Sequence, residues 1–160
     1  MKARLLLASV VLCLSLCALA VTAPAQEAHH FIFRPDAIEW KEGPASLPPG
    51  AKVAVLRGDP TQPGIFTMRL KFPAGYIVSP HWHTQDEHVT VISGALLLGV
   101  GDKYDAEKVE KITPGMLMVM PATHRHFARF DQETILQLHG IGPWIVNYVN
   151  PADDHRNKKP

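Results

Sequence analysis

Beyond residue 17 the chain contains no cysteine. Its two, Cys13 and Cys17, both sit near the N-terminus, so no disulfide staples the body of the protein and no thiol serves there as nucleophile or metal ligand. Charge is scarce and balanced, with 16 Lys and Arg against 15 Asp and Glu. No basic cluster is present, which argues against a nucleic acid as partner. Lys158 and Lys159 read as a solvated tail. No stretch shows helical periodicity, and no internal repeat is visible. The chain also lacks a G-x-S-x-G elbow, a P-loop and a G-x-G-x-x-G turn after a strand, which removes the usual serine-hydrolase and nucleotide-binding chemistries. If the protein is an enzyme, a metal must carry its chemistry.

What is present begins with a leader. Lys2 and Arg4 precede an apolar run over residues 5–20 broken only by serine, and Ala18-Leu19-Ala20 or Ala23-Pro24-Ala25 offers a small-x-small cleavage site. This is the pattern of a secretory signal peptide over residues 1–25. The run is shorter than the roughly 20 residues of a membrane-spanning helix, and leucine precedes each cysteine where a lipoprotein would carry a small residue. The expectation is a secreted or periplasmic protein with no membrane contact after cleavage. Losing Lys2 and Arg4 moves the formal charge from +1 to −1.

The 160 residues suffice for one domain with a real core. We expect a leader with an edge strand over residues 26–50, one domain over 51–150 and a C-terminal tail over 151–160, with order ending near Asn150-Pro151. Fourteen prolines and eleven glycines imply many turns. Residues 31–40 read as a short strand, 43–50 as a loop and 52–56 as a strand. Over residues 65–72, Phe66, Met68, Leu70 and Phe72 alternate with polar residues, the signature of a half-buried strand. Further strands follow from Glu87, with Ser93-Gly94 as a hairpin turn, then over 95–100, 109–112, 116–120, 124–130, 133–139 and 145–149. Met116, Met118 and Met120, at every second position, read as core packing. The fold class is all-β, an antiparallel sandwich or barrel.

One stretch organises the rest. His81 and His83, one residue apart on an extended segment, point to the same face, and Glu87 follows within reach. Two imidazoles and a carboxylate suit first-row divalent ions and leave coordination positions open. Spacing across the stretch, with Gly75, His81, His83, Glu87 and Gly94, resembles the first signature of the cupin superfamily. Downstream, Gly115, Pro121 and His126 resemble the second, with Thr123 in place of the usual glycine and Phe130 in place of the usual asparagine. The resemblance covers residues 66–139 and implies a jelly-roll barrel built from one cupin domain. It also implies that His126 completes a metal set of His81, His83, Glu87 and His126, holding Fe2+, Mn2+, Ni2+ or Zn2+.

Other polar residues are candidates for catalysis. His124 shares a strand face with His126 if that segment is regular, which makes it a substrate-facing base or a bystander at the barrel mouth. Gln137 and His139 either face the barrel interior or form a hydrogen-bonded buried pair. His88 points away from Glu87 and reads as structural, while Trp82, Trp144 and Tyr148 suit a pocket wall. Similar cupins include dioxygenases, isomerases and lyases, so the resemblance implies a small-molecule substrate or ligand and leans towards a dioxygenase-like oxidoreductase. The alternative is a non-catalytic binding or sensing cupin, as in the zinc-binding part of anti-sigma factors of the ChrR type. Cupins commonly dimerise, so a homodimer is also expected.

Overall fold

The computed structural model describes residues 29–158. The expected signal peptide, both early cysteines and Lys159 lie outside them. Residues 29–32 belong to a separate unit of the chain and carry no regular secondary structure. Among the described residues, no helix is long and apolar enough to cross a membrane.

Among the described residues, eleven strands build two antiparallel sheets. They are β1 (Lys41–Glu42), β2 (Lys52–Arg57), β3 (Gly64–Phe72), β4 (Tyr76–Trp82), β5 (Glu87–Ser93), β6 (Leu96–Val100), β7 (Glu110–Ile112), β8 (Leu117–Met120), β9 (His126–Phe130), β10 (Thr134–Gly142) and β11 (Asn147–Tyr148). One sheet runs β1-β2-β3-β10-β5-β8 and the other β11-β4-β9-β6-β7. Successive strands from β3 to β6, and again from β8 to β11, alternate between the sheets, which is the jelly-roll arrangement. Phe66, Met68, Leu70 and Phe72 face inward as the alternation demands, and the Phe72 ring stacks on Phe130 of the opposite sheet with centroids 4.2 Å apart.

Several local expectations change. The strand expected over 31–40 is absent, because Pro35 has no N–H to give a ladder and starts a 3-10 turn at Pro35–Ala37. The edge strand of that region is the two-residue β1 instead. Residues 93–94 are a corner, not a hairpin: β5 and β6 lie in different sheets. Gly94 takes φ +78°, and a Cβ there would meet Glu133 O and Thr134 Oγ1 at 2.4 Å. Met116 is exposed and its sulfur accepts a hydrogen bond from the Thr113 amide, so of the three methionines only Met120 is fully buried. The chain also stays ordered past Pro151. Two 3-10 turns follow, and Arg156 ties the second to the barrel through the Val146 carbonyl at 2.9 Å.

The same pairing rules set up the inner face of β4. Tyr76 and Val78 point inward, and so does His81, although it lies three positions after Val78. A regular strand would put positions an odd number apart on opposite faces. The β4–β9 register shifts between Val78 and His81, a stretch that contains Pro80, which cannot donate to a ladder. That bulge turns the histidines inward and sets His81 directly opposite His126.

Thr134, fully buried, pins the corner after β5. Its hydroxyl accepts from the Ala95 amide at 3.1 Å and lies 3.1 Å from the Ala95 carbonyl and 3.0 Å from that of Gln132. Thr134→Val keeps the shape and strands these backbone groups, so it should cost about 1–3 kcal/mol. Urea unfolding reads this directly, and an unchanged midpoint would mean the corner holds without the hydroxyl.

Candidate metal centre

Four polar side chains converge inside one end of the barrel. His81 comes from the end of β4, His83 from just beyond it, Glu87 from the first residue of β5 and His126 from the first residue of β9. Their exposures are 5%, 3%, 7% and 3%. One ring nitrogen from each of the three histidines lies within 4.8 Å of the others, an arrangement able to hold a metal ion. Glu87 Oε2 stands 3.5 Å from His83 Nε2 and 3.8 Å from His126 Nε2. Its other oxygen accepts a 2.8 Å hydrogen bond from the Trp144 indole.

Backbone carbonyls set the chemistry of the rings. His81 Nδ1 lies 2.8 Å from the Ser79 carbonyl, His83 Nδ1 2.8 Å from that of Ile145 and His126 Nδ1 3.0 Å from that of His124. A carbonyl only accepts, so each Nδ1 must carry the proton, and each Nε2 keeps a free lone pair. This is the tautomer that ligates through Nε2, held by an outer partner as metal-binding histidines usually are. His83 Nε2 is buried and has no hydrogen-bond partner. An unpaired buried acceptor is costly, and a cation at this point would satisfy it. Burial lowers the His81 pKa well below its ordinary 6.5, and the neighbouring His126 and His83 push the same way. Burial likewise lowers that of His126, against an opposing pull from Glu87. Both rings are therefore neutral near pH 7, as ligation requires.

Two loops, each crossing from one sheet to the other, hold the ligands together. The Thr123 amide donates to the His83 carbonyl at 2.8 Å, and Asp86 accepts from the Ala122 amide at 2.8 Å. Thr123 occupies φ +66°, the left-handed region that its usual glycine counterpart enters freely. The turn thus keeps its geometry at a cost of about 1–2 kcal/mol for a residue with a Cβ. Phe130, at the other departure from the signature, is buried core stacked on Phe72.

Beyond the ligands, Trp144 stacks on the His83 ring at 5.3 Å and 21°, and Tyr148 tilts against His81 at 6.0 Å. A cavity of about 50 Å3 opens beside His81, Glu87 and His126, walled by apolar side chains such as Val89, Leu98 and Met118. Trp82 does not line this cavity. The other candidates lie elsewhere. His124 is exposed in the turn before β9, not on its strand face, because the left-handed Thr123 delays the strand to His126. Gln137 and His139 sit on the outer face of β10, since Leu136 and Leu138 take the inner one. There Gln137 accepts from Arg69 at 3.1 Å, and the His139 ring packs on His88 at 5.1 Å. Sequence reading misses the Ile145 carbonyl, which has no residue signature, and sees Trp144 only as wall, although its N–H orients Glu87.

The profile of the ChrR cupin-like domain matches residues 28–144. The chain belongs to the ChrR cupin-like family. Among curated proteins none matches this cupin, but many solved structures share its fold. The polyketide cyclase RemF from Streptomyces resistomycificus aligns over 79% of this chain and 90% of its own, at 15% identity and a TM-score of 0.62. A candidate acetylacetone dioxygenase from Methylibium petroleiphilum PM1 aligns over 81% and 87%, at 19% identity and 0.59. The anti-sigma protein ChrR, solved in complex with SigE of Rhodobacter sphaeroides, aligns over 67% and 51%, at 18% identity and 0.50. At these identities the likeness establishes the fold alone.

Two measurements test the centre of this cupin. Trp144→Phe keeps a ring against His83 but removes the hydrogen bond to Glu87, so divalent-metal affinity should fall about 10- to 100-fold with the barrel intact. Chelator competition measures it, and equal affinity would remove Trp144 from the site. The second test is acid. Because folding depresses the pKa of His81 and His126, the unfolded chain binds their protons first as pH drops below 6.5. Stability of the metal-free protein is therefore whole above that pH and declines below it, by up to about 1.4 kcal/mol per pH unit for each histidine. Flat stability from pH 7 to 5 would contradict two neutral buried rings.

Proposed function

We propose that this ChrR-type cupin is a metal-dependent oxidoreductase of the dioxygenase kind, acting on a small and largely apolar organic molecule. The observation that carries the reading is three imidazoles locked with Nε2 inward, plus Glu87, beside a small apolar cavity. A first-row divalent ion in that donor set would supply Lewis acidity or an electron and leave positions free for a substrate. The protein's own part is positional. Backbone carbonyls fix the three rings, Trp144 aims the Glu87 carboxylate, and the apolar wall keeps the local dielectric low, which strengthens charge interactions within the site. The cavity volume sets the size class, since drug-sized ligands occupy about 300–1,000 Å3.

A second reading is a non-catalytic metal or ligand sensor, favoured by the ChrR type of the matching profile. On either reading we take residues 1–25 as an export leader, place the protein outside the cytoplasm and propose a homodimer.

Elemental analysis of protein purified without chelator or histidine tag separates the readings. Near-stoichiometric iron or manganese is expected, lost in His81→Ala. Oxygen uptake with small diketones should fall about a hundredfold or more in Glu87→Ala. Stoichiometric zinc and no oxygen uptake with any diketone or phenol would favour the sensor.

A further inference from the structure

All four side chains of the centre are more than nine-tenths buried, so the side chains that wall the cavity decide what reaches them. The 43–50 loop supplies one of those walls. Three of its eight residues, Pro44, Pro48 and Pro49, have no N–H to join a ladder. Its base is closed by the Gly43 amide on the Ala51 carbonyl at 2.8 Å, and within it the Leu47 amide donates to the Pro44 carbonyl at 2.9 Å. Two tyrosine hydroxyls latch the loop to the barrel. Tyr148 donates to the Ser46 carbonyl at 2.7 Å, and Tyr76 to the Pro48 carbonyl. Tyr148 also packs on His81, which ties one latch to a ligand of the centre.

Between the latches hangs Leu47, 5% exposed. It lines the cavity beside the metal centre and also a surface depression of about 470 Å3 formed by its own loop with His155 and Lys158. The Leu47 side chain therefore stands between that depression and the apolar interior. We propose that Leu47 is the plug of a loop gate and determines the size of molecule that the cavity admits. The role as a substrate gate rests on the catalytic reading above. The gate itself is a property of the barrel and can be tested without metal.

The tests use the metal-free full chain. Leu47→Ala joins the cavity to the depression, and an apolar void of about 150 Å3 is enough to bind benzene. Calorimetric titration with benzene should show at least about tenfold tighter binding in Leu47→Ala than in the parent. A cooperatively melting variant with no gain would overturn the proposal. Should that variant not fold, a thiol reports on the loop. In a chain with Cys13 and Cys17 replaced by serine, Leu47→Cys should react slowly with a thiol reagent. Adding Tyr76→Phe, which removes one latch and keeps the ring, should speed the reaction about threefold or more. An unchanged rate would overturn the gate. Neither result depends on whether the protein turns over a substrate, so a failed oxygen assay and a failed gate remain distinguishable.

Discussion

The metal centre depends on a change of parity in one strand. β4 must face Val78 into the core and His81 into the centre, and a regular strand cannot do both across three residues. The register shift between Val78 and His81, a stretch that includes Pro80, resolves the conflict and pairs His81 with His126. Everything downstream uses this one irregularity. Were the strand regular with Val78 facing inward, the His81 ring would stand on the outer surface of the barrel.

Bringing four polar groups into an apolar barrel is expensive, and the surroundings show how the cost is offset. Each imidazole gives its Nδ1 proton to a carbonyl, and Glu87 takes the Trp144 proton. These bonds satisfy the Nδ1 side of each ring and leave the buried His83 Nε2 without a hydrogen-bond partner. An unpaired buried group costs about 1–3 kcal/mol. The barrel tolerates this because the apolar core beneath is large, with the Phe72, Tyr76 and Phe130 rings packed as a cluster.

Much of this was legible in the chain. Alternation fixed the inner faces of β3 and β5, and the spacings around His81, His83, Glu87 and His126 named the groups that meet. What could not be read was anything that depends on which sheet a strand joins. Residues 93–94 look like any tight turn, and only the third dimension makes them a corner. Gln137 and His139 neither face the interior nor pair with each other, because Leu136 and Leu138 take the inner face of β10 and leave them outside. His124 was misplaced because one threonine takes a backbone conformation that its side chain disfavours. The 43–50 loop was evident from its prolines, but nothing in its composition says that Leu47 is a wall.

Three of the four outer contacts of the centre are made by main-chain carbonyls, of Ser79, Ile145 and His124. Main-chain atoms are the same whatever side chain stands at a position, so point mutation at those sites leaves the ring orientation and tautomer intact. The indole on Glu87 is a side-chain link through which inheritance can retune this centre. A lineage of such barrels can therefore diversify its loops and cavity walls freely while the donor geometry stays constant, with position 144 as the dial for ligand strength.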